Sequence, residues 1–208
     1  MGINCIQSSP HLYNNNIDYC SATGIELNES EPYIEEGVIS NCDVGLKATD
    51  CYENDFTEVH IQNLQVYCCN YGIFLYHSSP TLRNCCSMYN NWGLFCQHSS
   101  LPTLHENMFQ YNEYDGIRSV DDSAPYIYVV NSSYYGGYNT ITNNDQYGIS
   151  AYNSMPRIGY NQGNYPGNNS IYDNIGYEVR VDPSSESLLV WAVYIITGMD
   201  RNPTQPVV

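Results

Sequence analysis

The sequence predicts an all-β protein: a single-stranded right-handed parallel β-helix of about seven or eight coils. Three observations predict it. A Gly followed by Ile or Leu recurs at Gly2, Gly24, Gly45, Gly72, Gly93, Gly116 and Gly148. The residues after each Gly alternate in character. Behind six of these Gly residues stands a Pro, at Pro10, Pro32, Pro80, Pro102, Pro125 and Pro156, with an aliphatic residue two places further on. A recurring unit of this size marks a repeat architecture.

The first element of each unit is the strand that begins at the Gly. Its first position holds Ile3, Ile25, Leu46, Ile73, Leu94, Ile117 and Ile149. Its third holds Cys5, Leu27, Ala48, Leu75, Cys96, Ser119 and Ala151. Its second is mixed: Asn4, Glu26, Lys47, Phe74, Phe95, Arg118 and Ser150. A period of two sends the first and third sets to one face and the second to the other. One such strand cannot bury its face alone, but stacked copies can. Crossovers between parallel strands are overwhelmingly right-handed, which sets the hand of the coil.

The next elements are a turn at Ser-Ser-Pro, a second short strand at Pro-x-Ile, and an Asn-rich return. Leu12, Ile34, Leu82, Leu104, Ile127 and Ile158 mark the second strand. Asn14 to Ile17, Asn90 to Trp92 and Asn169 to Ile171 are assigned to the return. Asn tolerates the left-handed backbone of sharp corners, and the chain has 25 Asn.

Three units are irregular. CYENDFTEVHIQ (51–62) replaces the Ser-Ser-Pro turn. NSSYYGGYN (131–139) lengthens the unit from Gly116, and GYNQGNYPGNN (159–169) follows Gly148. Insertions of this kind are expected as loops on one face, where binding often lies. Residues 1–180 are read as the repeat domain. Residues 181–208 are read as a last strand or cap and an extended tail, with LLVWAVYII (188–196) covering the end of the solenoid. That run is far short of the ~20 residues of a membrane span.

The string Gly72 to Leu82, GIFLYHSSPTL, resembles the parallel β-helix repeat of the pectin-lyase-like superfamily. More narrowly, it resembles secreted bacterial right-handed β-helix proteins of the carbohydrate-binding and sugar-hydrolase repeat type. The resemblance covers roughly residues 2–180. It implies the fold, but not a single activity, because catalysts and non-catalytic modules share the repeat.

Composition narrows the partners. The formal net charge is −16, so nucleic acid and anionic membrane surfaces are excluded as favourable partners. A cation or a neutral surface suits the chain, and the expected partner is a polysaccharide or surface glycan. The 22 Tyr supply outward rings that can stack on sugars; they are also good strand residues in any sheet. Phe74, Phe95 and Tyr76 are the candidate ligand-binding residues. The chain enters its first repeat without a basic start or an apolar leader segment. Either the protein is intracellular or the chain is a piece of a longer secreted or cell-surface protein; the piece is the favoured reading, because the first coil begins with no cap.

The nine Cys cannot all pair with one another. Cys20, Cys42 and Cys69 precede their next Gly by three or four residues and are expected to stack in neighbouring coils. That stacking allows either disulfides or a buried column of small side chains. The doublets Cys68-Cys69 and Cys85-Cys86 do not suit zinc, because neighbours on a strand face opposite ways.

The fifth residue after each Gly forms a polar column: Gln7, Glu29, Asp50, His77, His98, Asp121 and Asn153. His77 and His98 are expected about 4.8 Å apart at Cα. With Asp50 and Asp121 they form a candidate site for a divalent metal. The plain alternative is a turn column, polar because it faces water. For catalysis, Asp121-Asp122 resembles the double-Asp element of β-helix polygalacturonases, but that family's G-H-G and R-x-K are missing. Arg118 is the local candidate for the base that lyase chemistry would use. The chain is read as a non-catalytic module that binds carbohydrate or another surface or acts as a spacer, with a polysaccharide lyase or hydrolase of the same superfamily as the alternative.

Overall fold

The computed structural model describes residues 1–52, 60–127, 137–158 and 168–185. The runs 53–59, 128–136 and 159–167, and the run 186–208 that holds LLVWAVYII and the tail, lie outside the described residues, so the loop and cap expectations there stay open. Every strand pairing is parallel. The first strand of each coil builds one eight-stranded sheet: β1 (Ile3–Ile6), β3 (Thr23–Asn28), β5 (Val44–Thr49), β8 (Tyr71–Tyr76), β11 (Trp92–Gln97), β14 (Ile117–Val120), β16 (Tyr147–Tyr152) and β18 (Tyr177–Val181). Its register pairs Ile25 with Leu46, Leu46 with Ile73, Ile73 with Leu94, Leu94 with Ile117 and Ile117 with Ile149. All six are buried. Each such aliphatic side chain contributes about 1.5–3 kcal/mol on leaving water. The sequence reading of this column holds throughout.

The rest of each coil differs from the reading in one respect. Among the described residues the Asn-rich return is itself a strand. The coils from Gly2 to Gly93 add two stretches of strand to the first, and those from Gly116 and Gly148 show one, with isolated bridges at Tyr126 and Arg157 in the other position. In the first two coils the two stretches run together as β2 (His11–Asp18) and β4 (Tyr33–Ser40). Later coils split at that bend. The second face then holds β6 (His60–Gln62), β9 (Thr81–Arg83) and β12 (Thr103–His105). The third holds β7 (Gln65–Tyr67), β10 (Cys86–Met88), β13 (Met108–Gln110), β15 (Thr140–Thr142) and β17 (Ser170–Tyr172). Long β4 pairs with both β6 and β7 and so joins the two faces. The cross-section has three faces and three corners.

The corners account for part of the Asn content. Among the described residues, twenty-three non-Gly residues have positive φ, and all fall into three columns. The corner after the first sheet holds Gln7, Glu29, Asp50, His77, His98, Ser99, Asp121, Asp122 and Asn153. The second holds Asn14, Glu36, Asn63, Asn84, Glu106, Tyr138 and Asn168. The third holds Tyr19, Asn41, Cys68, Tyr89, Tyr111, Asn143 and Asp173. The three Asn stretches assigned to one return therefore belong to different corners. Asn14–Ile17 and Asn169–Ile171 turn the second; Asn90–Trp92 follows the third.

The residue after each left-handed corner points inward and serves the preceding coil. After the third corner, the Cys69 N–H donates to Asn90 Oδ1 at 2.9 Å, Asn90 N–H to Asn112 Oδ1 at 3.1 Å, and Asn112 N–H to Asn144 Oδ1 at 3.1 Å. Cys20, Cys42 and Cys69 continue the same column towards the N-terminus. Cys42 Sγ donates to the Ser40 carbonyl at 3.1 Å. All nine cysteines are free thiols, so the column reading holds and no disulfide framework exists. After the first corner a hydroxyl ladder runs through Ser78, Ser100 and Ser123.

The Gly at the head of each unit is required by space. A Cβ on Gly93 would lie 2.5 Å from the Gly116 carbonyl oxygen and 2.8 Å from Asn112 Nδ2. The strand must pass this close to the ladder, and no side chain fits.

Candidate functional site

The polar column of fifth residues is the first corner, and left-handed backbone is its first cause. The side chains then pair along the rod. Gln7 Nε2 donates to Glu29 at 2.8 Å. His77 Nδ1–H donates to Asp50 Oδ1 at 2.7 Å. Asp121 Oδ2 accepts from Gln97 Nε2 at 2.9 Å and lies 3.5 Å from His98 Nδ1. The two imidazoles thus turn to carboxylates on opposite sides: His77 to the coil before, His98 to the coil after. Among the described residues no group of three or more His, Cys, Asp or Glu side chains gathers as a metal site.

The corner widens where the Pro slips. Ser99 and Asp122 are second left-handed residues, at φ 57° and 60°, and each pushes its Pro and its ladder Ser on by one place. The two widened corners lie side by side, so the Asp-Asp pair has a backbone role. Between them opens a shallow cleft of about 410 Å³, lined by Tyr76, His77, His98, Ser99, Asp121, Asp122 and Asn153. The Tyr76 ring stacks on His98 with centroids 4.5 Å apart. Five of the candidates named from sequence, Tyr76, His77, His98, Asp121 and Asp122, therefore share one cleft. Asp50 stands beside it, bonded to His77.

Phe74 and Phe95 lie on the outer face of the first sheet, 5.6 Å apart. They join an aromatic patch. Trp92 stacks on Tyr71 with centroids 4.7 Å apart and leans on Tyr114 at the same distance. Coil stacking causes this: Trp92 pairs with Tyr71 and Phe95 with Phe74 in register.

Arg118 does not reach Asp121 or Asp122. Its Nη1 lies 3.3 Å from Asp115 Oδ2, and its guanidinium sits over the Tyr152 ring at 4.5 Å. Asp115 is fully buried and also accepts from the Ser150 hydroxyl at 2.6 Å. Burial pushes its carboxyl above the ordinary value of 3.8; Ser150 and Arg118 pull the other way without cancelling it. The sequence reading missed this acid. Its signal was its place directly before Gly116, where neighbouring coils carry Tyr71, Trp92 and Tyr147.

Three parallel faces, inward Asn and Ser ladders and an outward aromatic face define a β-helix solenoid with a solvent-open cleft on one edge. The chain belongs to the right-handed β-helix region family, whose model matches residues 2–134. No curated protein and no solved structure matches it.

Proposed function

We propose that this chain is a non-catalytic module of a secreted or cell-surface protein, and that it binds carbohydrate in the first-corner cleft. The observation that carries this reading is the cleft's lining: a stacked Tyr76–His98 pair beside Asp121, Asp122 and Asn153. Stacked rings offer an apolar surface to the C–H face of a sugar. Carboxylates and an amide offer acceptors and donors to its hydroxyls. Few precisely placed polar groups beside an apolar wall is the usual makeup of a small-molecule site. The non-catalytic half is favoured by Arg118, which is committed to Asp115 and so supplies no base to the acid pair.

The test is a glycan array followed by titration calorimetry on wild type, His98→Ala and Asp121→Asn, with parallel turnover assays on pectin and alginate. Saccharide binding that both substitutions weaken, without turnover, is the expected result. Turnover of either polymer would replace the module by the lyase or hydrolase alternative.

A further inference from the structure

The aromatic patch on the outer face of the first sheet is not an isolated feature, because it leads into the cleft. On β8 the outward positions are Tyr71, Phe74 and Tyr76; on β11 they include Trp92 and Phe95, followed at the corner by His98. Tyr71 packs on Phe74 at 5.5 Å, Phe74 on Phe95 at 5.6 Å, and Trp92 on Phe95 at 5.9 Å. The Tyr76–His98 stack then closes the line at the cleft. Along the rod the Phe column is blocked on both sides. Lys47 pairs with Phe74 in register and is tied to Glu26 at 3.0 Å. Arg118 pairs with Phe95 in register and is tied to Asp115. The open direction is therefore across the coils, along the strands.

We infer that the ligand is an extended, uncharged oligosaccharide that crosses the rod along β8 and β11, with one end in the cleft and its next units on Phe74, Phe95 and Trp92. The inference rests on the carbohydrate reading of the cleft and deepens it. At about 3.3 Å per residue, Tyr71 to Tyr76 spans roughly 16 Å, room for about three pyranose rings. The ligand is uncharged because the chain carries −16 and a polyanion would be repelled. The patch suits sugar because amides and a carboxylate border it: Asn91 Nδ2 donates to Asn70 Oδ1 at 2.9 Å, and Asn70 to Asp43 at 3.3 Å.

The experiment is titration calorimetry with mono-, tri- and hexasaccharides of the β-1,4-glucan and β-1,4-mannan series. Wild type should bind the trisaccharide of one series about tenfold tighter than its monosaccharide, and the hexasaccharide little tighter again. Trp92→Ala and Phe95→Thr should bring the trisaccharide down to the monosaccharide level, Trp92→Tyr should restore it, and His98→Ala should weaken every length. Melting curves establish that each variant is folded. A length preference that survives both Trp92→Ala and Phe95→Thr, while His98→Ala still weakens every length, would overturn the track and leave the cleft. No binding of any saccharide by wild type would overturn both.

Discussion

The backbone N–H of Cys69 donates to the side-chain Oδ1 of Asn90 in the next coil at 2.9 Å. At this bond a column of thiols gives way to a column of amides, and the inward position after the third corner keeps one job under two chemistries. An acceptor is placed under a buried N–H that water cannot reach. Leaving such a group unpartnered costs about 1–3 kcal/mol. Asn112→Ala strips the partner from the Asn90 N–H. A loss of about 2 kcal/mol in urea unfolding is expected, and no loss would mean that water enters the corner.

Gly93→Ala should be worse than its single methyl suggests. The new Cβ would meet backbone, the Gly116 carbonyl oxygen at 2.5 Å, so relief requires two coils to part. Overpacking of this kind typically costs about 1–3 kcal/mol. A lowered melting temperature with lost cooperativity in the middle coils is expected; an unchanged melt would show that the coils slide apart freely.

Thiol reactivity should separate the nine cysteines. Burial pushes Cys85 and Cys69 up to about 12, and Cys96 is fully buried and raised as well. The thiolate is the nucleophile, so these should resist a thiol reagent in the native protein. Cys68, exposed at the third corner, should react first. Nine equivalents should react after unfolding without reductant; seven or fewer would reveal a bridge.

Asp115 should give a pH signature. Burial raises its folded value above the ordinary 3.8, so over that interval the folded state keeps a proton that the unfolded state has released. The group's contribution is then fully present below the unfolded value and is lost as pH rises through the folded one. Asn cannot ionise. The stability of wild type relative to Asp115→Asn should fall as pH rises above the ordinary carboxylate value of 3.8 and through the raised folded one, as read by urea midpoints. A flat difference would mean that Arg118 compensates the buried charge completely.

The strand register was legible because burial imposes it: Ile73, Leu94 and Ile117 share one inward column, and any slip would turn them to solvent. The first-corner column was legible as a position but not as a cause. His77 and Asp121 looked like chemistry, or like polar residues facing water, whereas both hold left-handed backbone before they do anything else. The third strand was missed for a physical reason. β10 and β13 are three residues long, too short for alternation to show, and the Asn beside them suggested turn and nothing more. Arg118 was named for its sequence neighbours Asp121 and Asp122, whereas the carboxylate it pairs with is the buried Asp115, three residues the other way. The convergence of Tyr76, His98 and Asp122 on one cleft depended on two extra corner residues, whose only trace in the sequence was the slipped Pro.

The Asn and Ser ladders are directional. Each side chain accepts from the coil before it, and several also donate to it, as Asn107 Nδ2 does to the Leu82 carbonyl at 2.9 Å. A coil is therefore finished by its successor. During synthesis from the N-terminus, every newly emerged turn waits one repeat before its corner is sealed, so assembly proceeds like masonry, with each course locking the one beneath. Such a design sets no length. Duplicating one unit in the gene adds a course that seals its predecessor and presents the same open position to the next.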